Sequence, residues 1–149
     1  MHSLEGRAAL VTGAGSPDGI GFAAARALSA AGARVAVAAT TDRIHARAAE
    51  LVAEGIGASG FVCDLAGFAD AGTLLAEVEV RFGHVDILVN NAGIAQVGGE
   101  NPSGEFRSLS EETWDLAIAI NLKTAFNATR HAFPGMIERG WAGSCTSRQ

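Results

Sequence analysis

Runs of apolar residues alternate along this chain with stretches in which apolar residues recur every three or four positions. The first helical stretch places Ile20, Ala24 and Leu28 on one face and has Gly32 as a stop signal. A longer helical pattern follows Ser110, which is a favourable N-cap residue. The near-continuous apolar runs predict buried strands at residues 7–12, 34–40, 60–65 and 85–93.

Strands that alternate with helices indicate parallel β-α-β units, and apolar runs of this kind are typical of a sheet covered on both faces. The expected fold class is therefore α/β, a Rossmann-type doubly wound parallel sheet with four strands in the order 3-2-1-4. No clear fifth strand follows in the sequence, so we expect the sheet to be incomplete. The fourth strand would then be an exposed apolar edge and a site of aggregation.

Composition narrows the functional classes. The net charge of −5 is spread without a basic stripe, which argues against a nucleic-acid partner. The sequence has neither a signal-peptide pattern nor an apolar run long enough for a membrane span, so a cytoplasmic location is the expectation. The four histidines and two cysteines lack ligand spacing, so we expect no metal, and Cys63 lies in an apolar run typical of a small buried side chain.

A glycine-rich loop, "TGAGSPDGIG", follows the first strand and opens the first helix. This context suits a dinucleotide pyrophosphate, because backbone amides and the helix dipole attract anions there. The alternative is a simple strand-to-helix turn. The candidate cofactor-binding residues of the loop are Gly13, Ser16, Gly19, Ile20 and Gly21.

Three further motifs accompany this loop, and together they resemble the short-chain dehydrogenase/reductase family over residues 7 to about 140. Asn90 to Gly93 give the tetrapeptide NNAG, "CDL" supplies Asp64 and Leu65, and "AINL" supplies Asn121. The resemblance implies that Asp64 binds the adenine and that Asn121 holds a water in the proton relay, as the catalytic candidate. It also adds cofactor-binding candidates, which are Leu65, Asn91, Ala92 and Gly93.

The loop departs from the family pattern TGxxxGxG, since five residues lie between Gly13 and Gly19. Pro17 and Asp18 look like the insertion, and a similar lengthening occurs in the enoyl reductase branch. NNAG and Asn121 favour the classical branch instead. Asp18 alone is more typical of a solvated turn residue.

The end of the second strand bears on the choice of cofactor. An NAD enzyme places a carboxylate there, which repels the 2′-phosphate of NADP. Ala39 occupies the corresponding position, and Thr40, Thr41 and Arg43 follow as donors for a phosphate. Asp42 remains an alternative, either as the cap of the second helix or as a ribose ligand. NADP is the favoured cofactor.

The resemblance also identifies what is missing. In the family, the tyrosine of a YxxxK motif donates the proton, but this sequence has no tyrosine and its only lysine is Lys123. Lys123 is better interpreted as a helix-surface charge. His131 is an alternative donor, although a lone histidine on a packed helix is more often structural.

The last residues, 141–149, do not match the fifth strand and serine pair of the family. Back-translation from Trp141 shows that a shifted reading frame permits Gly, Val or Ile, and two serines in the expected order. We therefore expect residues 1–140 to form the NAD(P)-binding portion and residues 141–149 to be an aberrant, frameshifted tail. A genuine early stop is the alternative.

The predicted function is an NAD(P)-dependent oxidoreductase that transfers hydride between the cofactor and a carbonyl or secondary alcohol. Residues 99–126 are similar to β-ketoacyl carrier-protein reductases. The chain as written is expected to be inactive. Self-association through the helix after Ser110 is possible but is expected to be weakened by the truncation. Two alternatives stay open, a non-catalytic nucleotide-binding or interaction module and an enoyl reductase-type enzyme.

Overall fold

A computed structural model describes residues 3–55, 57–93, 108–141 and 143–146 of the chain. Part of the stretch that is similar to ketoacyl reductases, residues 99–107, lies outside these described residues. The strands are β1 (Ala8–Thr12), β2 (Arg34–Ala39), β3 (Ala58–Val62), β4 (Ile87–Asn90) and β5 (Gly143–Thr146). The helices are α1 (Ile20–Ala30), α2 (Arg43–Ala53), α3 (Phe68–Phe82), α4 (Glu111–Ile118) and α5 (Thr124–Glu138), with a π-helical segment (Ala119–Lys123) between the last two.

The described strands form one parallel sheet in the order β3-β2-β1-β4-β5. The predicted order 3-2-1-4 is confirmed. The expectation that no fifth strand follows was wrong, because β5 pairs with β4 from Ile87 opposite Gly143 to Asn90 opposite Thr146. The four residues of β5 carry no apolar run, so their strand conformation comes from backbone pairing with β4. For the same reason, β4 is not an edge strand.

Alternate residues of the central strands pack into two cores, one on each face of the sheet. Ala8 and Leu10 belong to the core that α3 and α5 cover. Ala9 and Val11 belong to the core that α1 and α2 cover. This alternation confirms the doubly wound architecture and explains why the strands are apolar on both faces.

The long helical pattern after Ser110 is divided in the structure. Ser110 caps α4 as expected, since its Oγ accepts a hydrogen bond of 3.1 Å from the amide of Thr113. The π-helical segment then adds one residue per turn before α5 begins. Two side chains here bond to the preceding turn: Asn121 Nδ2, in the middle of the segment, donates to Ala117 O at 3.1 Å, and Thr124 Oγ1, at the start of α5, donates to Ile120 O at 2.8 Å.

Candidate cofactor-binding site

The glycine loop joins β1 to α1 and passes close to the end of β4. Gly13 has a φ of +68°, which favours glycine, and a Cβ there would lie 2.7 Å from Ala92 Cα. A Cβ on Gly21 would lie 2.5 Å from Asn91 Nδ2. Both glycines are therefore required for backbone approach. Gly19 is the N-cap of α1 and has no side chain to cap the first amides, which leaves this helix start suited to an anion.

Thr12 connects the glycine loop to the NNAG segment, a role that the sequence analysis did not assign. Its buried hydroxyl donates to Val89 O at 3.1 Å and accepts hydrogen bonds from the amides of Asn91 and Ala92 at 3.0 Å each. Asn91 Nδ2 also donates to the carbonyls of Thr12 and Gly13 at 3.2 and 3.1 Å. The buried Asn91 side chain therefore holds the loop in place. The sequence signal for this role is only the threonine at the end of the first strand.

The loop after β3 presents Asp64 and Leu65. Asp64 is exposed and its Oδ1 accepts a hydrogen bond of 3.0 Å from the amide of Ala66, which forms a turn. Leu65 is buried and packs in the core beneath α3 and α5. The turn thereby directs one polar and one apolar side chain toward the same end of the sheet.

The end of β2 carries Ala39, and Thr40, Thr41 and Arg43 follow it. Arg43 Nε donates to Thr41 Oγ1 at 3.3 Å. Asp42 occupies the N-cap position of α2, but its side chain makes no capping hydrogen bond and its backbone is already helical. The capping alternative for Asp42 is therefore not supported by the geometry.

These segments meet in a cavity of about 400 Å³ at the carboxyl ends of the strands. This is the position where open α/β sheets bind ligands. Eight of the predicted residues line it: Gly13, Ser16, Thr40, Arg43, Asp64, Leu65, Ala92 and Gly93. The lining also includes residues that the prediction did not assign to the site, among them Gly15, Ala38, Cys63, Ile120 and Thr124.

Five predicted residues do not line this cavity in the described part of the chain. Gly19 is the N-cap of α1, and Gly21 and Asn91 make the close contacts with each other that are given above. Ile20 is largely exposed at the start of α1. Asn121 lies on the π-helical segment beside Gly93, where a glycine Cβ would be 2.5 Å from Asn121 Oδ1.

Cys63 borders the cavity and is half-buried against the core, not fully buried as expected. Burial raises the pKa of its thiol to about 11, and the carboxylates of Asp70, Asp64 and Glu77 act in the same direction. The thiol therefore stays protonated at neutral pH and is a weak nucleophile.

Two remaining candidates lie away from the cavity. Lys123 is exposed, which agrees with its interpretation as a surface charge. His131 faces α3, where its Nε2 donates to Phe68 O at 3.0 Å and its ring lies 4.4 Å from the Phe68 ring. Among the described residues, no cluster of three potential ligands could hold a metal ion, and none of the helices is long and apolar enough to span a bilayer.

A parallel sheet with a glycine loop at the start of α1 defines a Rossmann-type α/β protein. Residues 7–144 match the sequence model of the family described as short chain dehydrogenase. The chain belongs to this family, as its motifs indicated.

Known relatives agree with this assignment. D-beta-hydroxybutyrate dehydrogenase of Cupriavidus necator is 40% identical over 139 residues, which is 93% of this chain and 51% of that protein. D-threitol dehydrogenase of Mycolicibacterium smegmatis is 40% identical over 138 residues, which is 92% of this chain and 50% of that protein. The chain therefore spans about half the length of the curated relatives it matches.

The fold is also similar to solved structures. The crystal structure of a metagenomic short-chain oxidoreductase in complex with NADP superposes with a TM-score of 0.84 at 35% identity. The superposition covers 96% of this chain and 62% of the other.

Proposed function

We propose that this chain binds a nicotinamide dinucleotide in the cavity and prefers NADP to NAD. The single observation that carries the proposal is that Thr40, Thr41 and Arg43 line the same cavity as the glycine loop. Family membership gives the nicotinamide cofactor itself. An NADP-bound relative at 35% identity supports the choice of the phosphorylated form.

The residues present fit such a ligand. The loop glycines bring backbone amides to the start of α1, where a pyrophosphate would bind. Arg43 supplies a permanent positive charge at the end of β2, where the 2′-phosphate of NADP would lie. Ala39 provides no carboxylate to repel that phosphate. Leu65 offers an apolar surface to an adenine, and Asp64 offers a carboxylate acceptor.

For the full-length protein, we propose hydride transfer between this cofactor and a carbonyl or secondary alcohol. The names of the two relatives above, a hydroxybutyrate and a threitol dehydrogenase, refer to hydroxyl-bearing substrates. The nicotinamide would supply or accept the hydride. Asn121 is the residue of this chain that we place beside the reacting groups, where its amide would hold a water molecule.

The proposed activity needs a proton donor at the substrate oxygen. The sequence contains no tyrosine, and Lys123 is exposed on the helix surface. We therefore propose that these 149 residues bind the cofactor without turning over substrate. We also propose that residues 141–149 are a frameshifted tail, because a shifted frame from Trp141 permits two serines in the expected order.

A titration calorimetry experiment on the chain tests the cofactor preference. We expect NADPH to bind at least tenfold more tightly than NADH. In the Arg43→Ala variant, the ratio of the NADH dissociation constant to the NADPH dissociation constant should fall about tenfold. The reason is that a hydrogen bond to a charged group contributes about 1.5–3 kcal/mol. Arg81→Ala removes an arginine of α3 that is not part of this cavity and should keep the wild-type ratio. Tighter binding of NADH by the wild type would refute the preference.

We also propose that a second copy of this chain covers an apolar stripe on α4, the π-helical segment and α5. The stripe consists of Trp114, Ile118, Leu122 and Phe126, which follow one another at intervals of four residues. Leu122 and Phe126 are 62% and 59% exposed. Large apolar side chains exposed at this spacing along one helical stretch favour association between proteins.

A further inference from the structure

Residues 64–68 comprise the end of the connection between β3 and α3 and the first residue of α3, and we refer to them as the loop. They are held by side chains of α5 that come from more than 60 positions later in the sequence. Asn127 Nδ2 donates to Leu65 O at 2.8 Å and to Ala66 O at 3.2 Å. His131 Nε2 donates to Phe68 O at 3.0 Å. Three of the five carbonyl groups in this loop therefore accept hydrogen bonds from one helix.

The Asn127 contact is buried, since only 1% of this residue is exposed. Loss of a buried donor leaves carbonyl oxygens without a partner, which costs more free energy than the same loss in water. One turn later, the His131 ring packs against Phe68, and a Cβ on Gly72 of α3 would lie 2.9 Å from its Cε1. The helix and the loop therefore fit together with little room for adjustment.

Two further hydrogen bonds of the loop are local. The amide of Ala66 donates to Asp64 Oδ1 at 3.0 Å, and the amide of Gly67 donates to Asp64 O at 3.3 Å. A local turn sets the shape of the loop, while the amide of Cys63, which donates to Ala39 O at 2.9 Å, and the buried Leu65 side chain anchor its start. The contacts with α5 add a second attachment, because α5 also packs on the core beneath the sheet.

The part of the loop that lines the cavity adjoins the end of β2. Asp64 and Leu65 line the cavity together with Thr40 and Arg43. The β3 strand that leads into the loop pairs directly with β2. A displacement of the loop would thus change the side of the cavity that we assign to the adenosine 2′-phosphate half of the cofactor.

We infer that Asn127 is a positioning residue for the adenosine half of the cofactor, with His131 as its support. This inference rests on the proposed function. Asn127 does not line the cavity; it holds the two residues, Asp64 and Leu65, that do. Removing the Asn127 side chain should weaken the affinity for adenosine 2′,5′-bisphosphate. The loss should exceed the loss caused by a substitution that only lowers the stability of the fold.

The test compares three variants with the wild-type chain. Asn127→Ala removes both hydrogen bonds, and His131→Phe keeps the aromatic ring but removes the bond to Phe68 O. His131 is only half-buried, so its variant should fold even if Asn127→Ala does not. Met136→Ala is the control, because Met136 is a buried core residue of α5 beyond the loop contacts.

Calorimetry with adenosine 2′,5′-bisphosphate, well below the melting temperature of each variant, gives the primary measurement. We expect the dissociation constant to rise about tenfold in Asn127→Ala, about threefold in His131→Phe, and less than twofold in Met136→Ala. Hydrogen exchange should become faster at Ala66 and Gly67 in the first two variants and stay unchanged in the control.

The outcomes separate this inference from the proposed function. If the wild type binds neither NADPH nor the bisphosphate, the proposed function and the inference both fail. If the wild type binds but the folded loop variants keep its dissociation constant within twofold, only the positioning role is refuted. An equal loss of affinity in Met136→Ala would also refute it, because the effect would then follow stability alone.

Discussion

At the scale of single residues, the hydroxyl of Thr12 joins three backbone groups of β4 and the segment after it. Replacing Thr12 by Val keeps the shape but withdraws the acceptor from two amides and the donor from Val89 O. We expect Thr12→Val to lower the free energy of unfolding by about 2–4 kcal/mol. Urea denaturation followed by circular dichroism gives this value.

The matched control is Thr12→Ser, which retains the hydroxyl and loses only a methyl group. It should cost about 1 kcal/mol. Equal losses in the two variants would mean that packing of the methyl group, and not the hydrogen bonds, stabilises this junction.

Several residues of the site were predictable because their motifs lie within short stretches of sequence. Gly13 and Asp64 are examples, since Gly13 follows directly on β1 and Asp64 lies two residues after the end of β3. Thr12 and Asn127 were not found. Their bonds connect positions more than 60 residues apart, and no local pattern encodes such a contact.

At the scale of elements, the apolar runs predicted β1 to β4, and the usual winding of doubly wound α/β sheets predicted their order. The apolar pattern did not predict β5, whose residues Gly143–Thr146 form a strand only by pairing with β4. It also did not predict the π-helical segment, because one additional residue in a turn hardly changes the apolar pattern. The segment places Asn121 beside Gly93, so the missed feature lies at the candidate active site.

The pairing of β5 with β4 leads to an element-scale expectation. A chain that ends at residue 142 would expose the backbone of β4, which is apolar and open to pairing with other chains. We expect this variant to aggregate and to melt at a lower temperature than a control chain that ends at residue 146. Static light scattering during a thermal ramp compares the two. Equal scattering would show that β5 does not protect the edge.

At the scale of the whole molecule, the two cores lie on opposite faces of the sheet and the cavity lies at its carboxyl end. Among the helices that the structure describes, only α5 combines three roles. It packs on the core beneath the sheet, holds the loop after β3, and follows directly on the segment that carries Asn121. Its outer surface continues the apolar stripe. A change on that surface can therefore be tested without altering the buried contacts that position the cavity.

The last expectation concerns association through the stripe. Leu122 and Phe126 are exposed on adjacent turns, so burying them against a second copy would remove apolar area from water. We expect the wild type to elute as a dimer or larger species at high concentration, and Leu122→Arg with Phe126→Arg to shift it to a monomer. Val80→Arg is the control, since Val80 is 89% exposed on α3 and lies outside the stripe. Size-exclusion chromatography with light scattering distinguishes these states. A wild-type monomer at every concentration, or an equal shift in the control, would refute the stripe as an interface. A shift seen only in the stripe variant, with unchanged NADPH affinity, would show that assembly is separate from cofactor binding.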